Sequence, residues 1–327
     1  MSLKITVAGA GSIGCYVGGV LALAGHDVRF LARARVVAGL SKMGALKLTD
    51  YNGLDASVST PDFSEDPSIL GTADVILVTV KSSATAEMAA LIGSHAKPDA
   101  LIISLQNGVG NISVLRAGLP DHDVRAAMVP FNVVPVGEAA YHRATSGEIE
   151  VQAGPLPALD TPHIAWRSVD NIEAVQWGKL LINLGNALNA LSDLPLLEML
   201  NQRAWRKLMA DQMAEALGIL KANGIVPAKT TAAPPKALPF ILRLPTPIFR
   251  RVAAQMLTID PKARSSMWDD LTQRRQTEVE ALQGVIIGLA AKSGQGAPLN
   301  TRIRALIHDA EAAGNGPPGL APTDIEV

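Results

Sequence analysis

The chain has 327 residues, 48% of them hydrophobic, and its charges almost cancel to a net −1. This length predicts about two domains, and the charge balance excludes the basic excess that a nucleic-acid binder usually carries. Its longest apolar runs reach about ten residues, too short for a membrane span. The beginning, MSLKITVAGAG, leads directly into a strand, so we expect no signal peptide. The single cysteine, Cys15, excludes an internal disulfide and fits a reducing compartment. We therefore expect a soluble, cytoplasmic protein.

Short apolar runs alternate with helical periods in the first half of the chain. Strands are predicted at 4–9, 27–33, 74–81, 100–107, 124–134 and 147–154, and helices at 12–24, 83–95 and 110–117. The runs are continuously hydrophobic, which is typical of strands covered on both faces. This β-α-β alternation predicts a doubly wound α/β fold with a parallel sheet.

The second half is predominantly helical. Helices are predicted at 170–191, 195–222, 277–292 and 299–313, an ordered loop or set of short turns at the Pro-rich 226–249, and a frayed tail at 316–327. The Pro-rich stretch 153–163 indicates a boundary. We expect a first domain at 1–167, a helical domain at 168–315, and a cleft between them.

The sequence GAGSIG follows the first strand and opens the first helix. In a G-x-G-x-x-G turn the first glycine permits a tight turn, the second admits a pyrophosphate, and the third lets helix and strand pack closely. Backbone N–H groups at the helix start then face the phosphates. The alternative is a Gly-rich turn without a ligand. The predicted cofactor-binding residues here are Gly9, Ala10, Gly11, Ser12, Ile13 and Gly14.

The end of the second strand indicates which dinucleotide binds. An NAD site usually places an acid there, whereas this strand ends in FLARAR, with Arg33 and Arg35. A guanidinium suits a 2′-phosphate, so we expect NADP(H), unless both arginines are simply solvated. Lys81 and Asn107 follow later strands at the same sheet edge, where open α/β sheets bind ligands. Lys81 could instead be a solvated strand-end lysine, and Asn107-Gly108 a plain turn.

An apolar helix, WGKLLINLGNALNAL, carries an unusual polar stripe. Lys179, Asn183 and Asn186 share a face about 60° wide, and Asn189 lies on its flank. Hydride transfer to a ketone builds negative charge on oxygen, which a positioned acid must stabilise and protonate. A buried lysine can have its pKa lowered for this task. The alternative is an amphipathic helix that exposes its polar face to water.

A third cluster, SSMWDDLTQRRQTEVEALQG, has two interpretations. Ser266 with Asp269, and Thr277 with Glu280, have the spacing of capping boxes at two helix starts. Alternatively, Ser266 donates to a substrate carboxylate and Glu278 pairs with the lysine of the polar stripe. The six histidines show no metal-binding spacing, and no G-x-S-x-G hydrolase motif is present.

Taken together, these motifs resemble the ketopantoate reductase (2-dehydropantoate 2-reductase) family over nearly the whole chain. The resemblance rests on GAGSIG, VK at Lys81, QNG at Asn107, WGKLLIN at 177–183, and SSM followed by TEVEALQG. It implies a Rossmann domain joined to a helical domain of the 6-phosphogluconate-dehydrogenase type. The implied reaction is reduction of 2-dehydropantoate to (R)-pantoate with NADPH, toward pantothenate.

The resemblance also implies residue roles. Lys179 would be the general acid supported by Glu278, Asn107 would lie by the nicotinamide, and Arg33 and Lys81 would lie near the 2′-phosphate. Asn183 and Ser266 would hold the substrate.

The sequence departs from the family pattern at two places. Ala187 stands where many members have a substrate-gripping asparagine, with Asn186 beside it, and VKSSAT lacks the family's aromatic residue and glutamine. These departures keep open a different 2-oxo or 2-hydroxy acid as substrate. A protein that senses NADP(H) without turnover is a further alternative, and a homodimer is compatible with the sequence.

Overall fold

The computed structural model describes residues 2–257 and 260–327. It divides into two compact units, Met1–Glu173 and Ala174–Val327. The predicted boundary at 167 and 168 falls inside a strand, Trp166–Val169, that completes the sheet of the first unit. The division therefore lies a few residues later in the chain than expected.

The first unit combines strands with four α-helices among its described residues. The strands are β1 (Lys4–Ala8), β2 (Asp27–Leu31), β3 (Ala45–Asp50), β4 (Asp55–Ser59), β5 (Asp62–Ser64), β6 (Val75–Val78), β7 (Leu101–Ser104), β8 (Asp123–Met128), β9 (Val133–Gly137), β10 (Ala140–Arg143), β11 (Ile149–Gln152) and β12 (Trp166–Val169). The helices are α1 (Ser12–Leu23), α2 (Ala34–Ser41), α3 (Thr85–His95) and α4 (Asn111–Gly118).

The main sheet has the doubly wound order that the sequence predicts. Its strands run β12-β11-β8-β7-β6-β1-β2-β5, and they pair in parallel except for β8 with β11. From β1 the chain moves outward to β2 and β5, then returns to β6 on the other side of β1. Ligands of open α/β sheets bind at such a switch point, beyond the carboxyl ends of the strands.

Helix α1 lies between this sheet and a second one that the sequence analysis does not predict. The second sheet has the order β4-β3-β10-β9. A Cβ at Gly18 would approach Phe30 of β2 to 2.6 Å, and a Cβ at Gly19 would approach Leu48 of β3 to 2.7 Å. Strand β3 alternates buried Leu46 and Leu48 with exposed Lys47, a period-two pattern that signals a half-buried strand.

The opposite face of the main sheet is covered by α3 and α4. Met88 and Ile92 of α3 and Leu115 of α4 pack with Ile76 and Ile102 from the sheet, and all five are buried. Helices thus cover both faces, which explains why the strands read as continuous apolar runs.

Other differences in the first unit have local causes. The strand expected over 124–134 divides into β8 and β9 around Pro130, which has no N–H for a strand ladder. The short elements β5, α2 and β12 are also absent from the sequence-based expectation.

The regular elements of the second unit are all helices among its described residues. Its helices are α5 (Ile172–Asn183), which begins just before the division, α6 (Gly185–Ser192), α7 (Leu196–Asn201), α8 (Arg203–Ala222), α9 (Leu238–Arg243), α10 (Thr246–Val252), α11 (Ser266–Thr272), α12 (Val285–Lys292) and α13 (Pro298–Ala313). A π-helical turn, Glu280–Gly284, precedes α12. The fold class, a parallel-sheet domain followed by a helical one, is the predicted class.

Two long predicted helices are interrupted in the structure. The helix expected over 170–191 breaks between α5 and α6 at Leu184, whose carbonyl accepts a 3.0 Å hydrogen bond from the buried side chain of Gln283. Gly185, a weak helix former, follows the break. The helix expected over 195–222 likewise breaks at Gln202, whose backbone is extended.

The Pro-rich stretch 226–249 is more regular than predicted. It contains α9 and the start of α10, with Pro239 and Pro247 in the first turns of these helices. A proline is tolerated there because the first N–H groups of a helix have no intrahelical acceptor.

The tail predicted to fray is anchored instead. The Leu320 N–H donates to the Leu191 carbonyl at 2.8 Å, Arg302 donates to the Asp324 carbonyl at 3.0 Å, and Ile325 is fully buried. Burial of one isoleucine and two hydrogen bonds hold the segment on the helical unit. Among the described helices, none is both long and apolar enough to cross a membrane.

Candidate active site

The glycine turn between β1 and α1 has the geometry of a dinucleotide-binding loop. Gly9 has a φ of +120°, and a Cβ there would lie 2.8 Å from the Val80 backbone nitrogen. A Cβ at Gly14 would lie 2.1 Å from the Gly9 carbonyl, so helix and strand pack closely only with glycine. A Cβ at Gly11 would meet nothing within 4 Å. The space beside Gly11 is where a pyrophosphate needs to approach.

The start of α1 is suited to an anion. Gly11 is the residue before the helix, no side chain caps the first turn, and the turn carries no acidic residue. The first N–H groups of a helix have no intrahelical acceptor and carry partial positive charge. Residues Gly9 to Gly14, with Ala10, Ser12 and Ile13, therefore fit the phosphates of a dinucleotide.

Backbone hydrogen bonds hold the turns after β1, β2 and β6 together at one sheet edge. The Gly9 N–H donates to Leu31 at the end of β2 at 3.0 Å, and the Thr79 N–H after β6 donates to Ala8 at 2.9 Å. Arg33 is exposed and immediately precedes α2, whereas Arg35 is exposed in the first turn of that helix. Both arginines therefore follow β2, at the sheet edge that carries the glycine turn.

Lys81 and Asn107 follow β6 and β7, so they lie at the same edge of the sheet. Lys81 is exposed and precedes a short 3₁₀ turn, Ser82–Ala84. Asn107 is half-buried, and its carbonyl accepts a 2.7 Å hydrogen bond from the Asn111 side chain.

A buried polar network joins the loops that follow β6 and β7. The sequence does not predict it. The Gln106 Nε2 donates to the Val80 carbonyl at 2.9 Å and to the Thr85 hydroxyl at 2.8 Å. The Thr85 hydroxyl lies 2.9 Å from Asn111 Oδ1, and Asn111 also donates to Ser82 Oγ at 3.1 Å. Ser82 and Thr85 belong to VKSSAT, the segment that departs from the family pattern. The sequence does carry a signal for this network, because polar residues closely follow both β6 and its neighbour β7.

Lys179 lies on α5, whose backbone packs closely against the segment around Ala228. A Cβ at the preceding Gly178 would lie 2.3 Å from the Ala228 carbonyl, and the Ala228 N–H donates to the Ala174 carbonyl at 2.7 Å. The half-buried lysine loses hydration, which lowers its pKa to about 8, although the charge of Glu278 acts to raise it. Glu278 is thus close enough to act electrostatically on Lys179.

The asparagines after Lys179 have different surroundings. Asn183 and Asn186 are half-buried, whereas Asn189 is fully buried. The Asn189 amide donates to the Leu194 carbonyl at 2.8 Å and accepts from the Ser265 N–H at 2.8 Å. Asn189 is therefore occupied in holding the segment after α6 and the residue before α11.

Ala187 is also fully buried. The position where many family members carry a substrate-gripping asparagine therefore offers no polar group and no exposed surface.

The capping interpretation of the third cluster needs two corrections. The residue that caps α11 is Ser265, whose hydroxyl accepts from the Trp268 N–H at 3.2 Å, and not Ser266 with Asp269. Ser266 is exposed at the first position of α11 and is therefore accessible to a ligand.

The second predicted capping box forms only in part. The Thr277 hydroxyl accepts from the Val279 N–H at 3.2 Å. Glu280, however, pairs with His308 at 2.7 Å, and the Thr277 N–H donates to Glu311. The Thr277 N–H is thus bound by Glu311 of α13 and not by Glu280, the partner that a capping box would use.

Two family models match the chain. "Ketopantoate reductase PanE/ApbA" matches residues 5–155, and "Ketopantoate reductase PanE/ApbA C terminal" matches residues 171–311. A 2-dehydropantoate 2-reductase from Halobacterium salinarum is 26% identical over 330 residues, covering 95% of this chain and 100% of that protein.

Solved structures agree with this result. A PanE/ApbA family ketopantoate reductase from Ralstonia eutropha JMP134 is 28% identical, with a TM-score of 0.79, and the match covers 95% of this chain and 99% of that one. A D-mandelate dehydrogenase solved with NADH and anilino(oxo)acetate shares the fold at 20% identity and a TM-score of 0.77, with 96% of this chain and 100% of that one covered.

Proposed function

Since the chain belongs to the ketopantoate reductase family and is an oxidoreductase, we propose that it reduces a small 2-oxo acid with NADPH. The best candidate substrate is 2-dehydropantoate, with (R)-pantoate as the product. The observation that carries this proposal is the setting of Lys179 on α5, where burial lowers its pKa to about 8 and the charge of Glu278 opposes that shift.

The glycine turn and its neighbours would hold the cofactor. Gly11 and the start of α1 would take the pyrophosphate, and Arg33 would take the 2′-phosphate with Lys81 nearby. Asn107 would lie beside the nicotinamide, at the end of the strand next to β6. When bound, the nicotinamide supplies a hydride to the carbonyl carbon of the substrate.

Lys179 would give the proton that the reaction needs. As negative charge develops on the carbonyl oxygen, a protonated amine beside it stabilises this charge and then transfers its proton. A pKa near the working pH makes this transfer efficient, because the acid is both populated and able to release its proton. Glu278 keeps Lys179 protonated and oriented.

Asn183, Asn186 and Ser266 would bind the substrate. Their amide and hydroxyl groups suit a hydroxyl or a carboxylate; Asn183 and Asn186 are partly exposed and Ser266 is exposed. The absence of an asparagine at position 187 favours a second candidate, a 2-oxo acid with fewer polar groups to bind. D-mandelate dehydrogenase, the fold neighbour solved with anilino(oxo)acetate, suggests aryl 2-oxo acids as members of that class.

The decisive experiment follows NADPH oxidation with a panel of 2-oxo acids that includes 2-dehydropantoate, branched aliphatic acids and an aryl acid. The expected result is turnover that is highest with 2-dehydropantoate and that Lys179→Ala lowers by about 10²-fold or more, with NADPH affinity nearly unchanged. Highest turnover with an aryl or branched acid would support the second candidate. NADPH binding without turnover of any acid would instead indicate a sensor.

A further inference from the structure

Along the chain, Glu278 lies between Thr277 and Glu280, which both form hydrogen bonds with α13. The N–H of Thr277, on one side, donates to Glu311 Oε1 at 2.7 Å. The side chain of Glu280, on the other side, accepts from His308 Nε2 at 2.7 Å. We call Thr277, Glu280, His308 and Glu311 the α13 brace. It attaches the chain to α13 one residue before and two residues after Glu278.

His308 joins the two attachments into one unit. Its Nδ1 lies 3.0 Å from Glu311 Oε2, while its Nε2 faces Glu280. Since a carboxylate only accepts hydrogen bonds, both ring nitrogens must carry protons for both contacts to form. The contact with Glu280, followed by that with Glu311, holds the pKa of His308 above its ordinary value, although partial burial opposes the shift.

The other charged groups facing the brace favour the same arrangement. Arg304 Nη1 lies 3.7 Å from the second oxygen of Glu280. Burial would raise the pKa of Glu311, but hydrogen bonds from Thr277 and the contact with His308 hold it below its ordinary value. Glu311 is therefore an ionised acceptor, and the bond from the Thr277 N–H is charge-assisted.

The π-helical turn connects the brace to the helices around Lys179. A Cβ at Gly284 would lie 2.3 Å from Glu280 Oε2, so glycine leaves the space in which this side chain reaches α13. In the same turn, buried Gln283 donates to the Leu184 carbonyl between α5 and α6. The segment carrying Glu278 is thus attached to α13 on one side and to the end of α5 on the other. π-helical turns are often found at functional sites.

We propose that His308 and Glu311 are positioning residues that hold Glu278 beside Lys179. The inference rests on the proposed roles of Lys179 and Glu278 and extends them to α13. Neither His308 nor Glu311 needs to touch substrate or cofactor. Their effect passes through the backbone of Thr277 and the side chain of Glu280.

The test measures the ionisation of Lys179 in the full-length protein. In Glu311→Ala and His308→Leu, Glu278 is less well held, so its charge supports the protonated lysine less. The alkaline limb of the kcat profile should move to lower pH, and kcat at pH 8 should fall by about threefold to tenfold. The KM for NADPH should stay unchanged. Glu311→Gln retains an oxygen that can accept from Thr277, so it should restore part of the loss.

Two controls separate this effect from general destabilisation. Asp309→Asn changes an exposed acid on the same helix and should leave the profile unchanged. In a Glu278→Gln background, Glu311→Ala should no longer move the limb, because the group being positioned is gone. An equal shift in both backgrounds, or an unmoved limb in Glu311→Ala and Glu311→Gln, would overturn the proposal.

A direct readout separates this proposal from the proposed function. The pKa of Lys179 can be followed by the NMR shift of its ¹³Cε, with Lys179→Ala identifying the signal, and needs no turnover. If no 2-oxo acid is reduced, the proposed function fails, but a lower Lys179 pKa in Glu311→Ala would still support the brace. If Lys179→Ala abolishes turnover while Glu311→Ala leaves the Lys179 pKa unchanged, only the brace fails.

Discussion

Glu278 opposes the effect of burial on Lys179. Loss of hydration lowers the pKa of the lysine to about 8, and the negative charge of Glu278 keeps it from falling further. At neutral pH the amine is therefore mostly protonated and yet a much stronger acid than an exposed lysine. The pKa of Lys179 therefore depends on both its burial and the charge of Glu278.

Glu278→Gln should shift the pH dependence of reduction to lower pH. An acid catalyst works while it is protonated, so activity is present below the pKa of Lys179 and is lost as the pH rises through it. Removing the charge of Glu278, which acts to raise this pKa, should move the alkaline limb of kcat below pH 8 by about one unit. Steady-state kinetics measured from about pH 6 to about pH 10 locate this limb, since the range roughly spans the pKa of Lys179 with and without Glu278. Glu198→Gln, at an exposed position on α7, is the control and should leave the limb in place.

Arg33→Asp should change the cofactor preference. If its guanidinium binds the 2′-phosphate, the loss of a charge-assisted contact should weaken NADPH by about tenfold to a hundredfold and leave NADH nearly unaffected. Titration calorimetry with both cofactors measures the ratio of the dissociation constants. Arg35→Asp, two residues on in the first turn of α2, should have a smaller effect. Equal weakening of NADPH and NADH in Arg33→Asp would refute the phosphate contact.

Two glycine variants should separate folding from cofactor binding. Gly14→Ala places a Cβ 2.1 Å from the Gly9 carbonyl, so α1 must move away from β1, and the melting temperature should fall by several degrees. Gly11→Ala adds a methyl group to open space and should keep the melting temperature. Its methyl group would occupy the approach of the pyrophosphate, so NADPH affinity should drop. Calorimetric melting and NADPH titration of both variants are the measurements, and a Gly11→Ala variant with normal affinity would contradict the pyrophosphate assignment.

Asn189→Ala should destabilise the helical unit without a specific effect on substrate binding. The substitution leaves the Ser265 N–H and the Leu194 carbonyl without their side-chain partner, at a cost of about 2–4 kcal/mol. Urea unfolding monitored by tryptophan fluorescence measures this loss. Asn183→Ala, at the half-buried end of α5, should show the opposite behaviour, with little change in stability and a higher KM for the 2-oxo acid.

The sequence by itself determined the parts of this protein that depend on short spacings. The glycine turn, the parallel strands around it and the helical second half follow from residues no more than a few positions apart. Each of these patterns has a local physical cause, such as a backbone angle, a close approach or a repeating apolar face. The pairing of Lys179 with Glu278 is implied by a family resemblance, since spacing alone leaves two helix starts as an equal interpretation of this segment.

The tertiary structure decided which polar side chains have protein partners. Asn189 appears in sequence as one more member of a polar stripe, but its oxygen binds the Ser265 N–H, 76 residues away. Thr277 has a capping partner at the expected spacing, yet its N–H binds Glu311, 34 residues away. A hydrogen bond depends on a distance of about 3 Å in space, and packing brings distant residues to that distance. The spacing along the chain proposes partners, and the packing of α6, α11 and α13 selects among them.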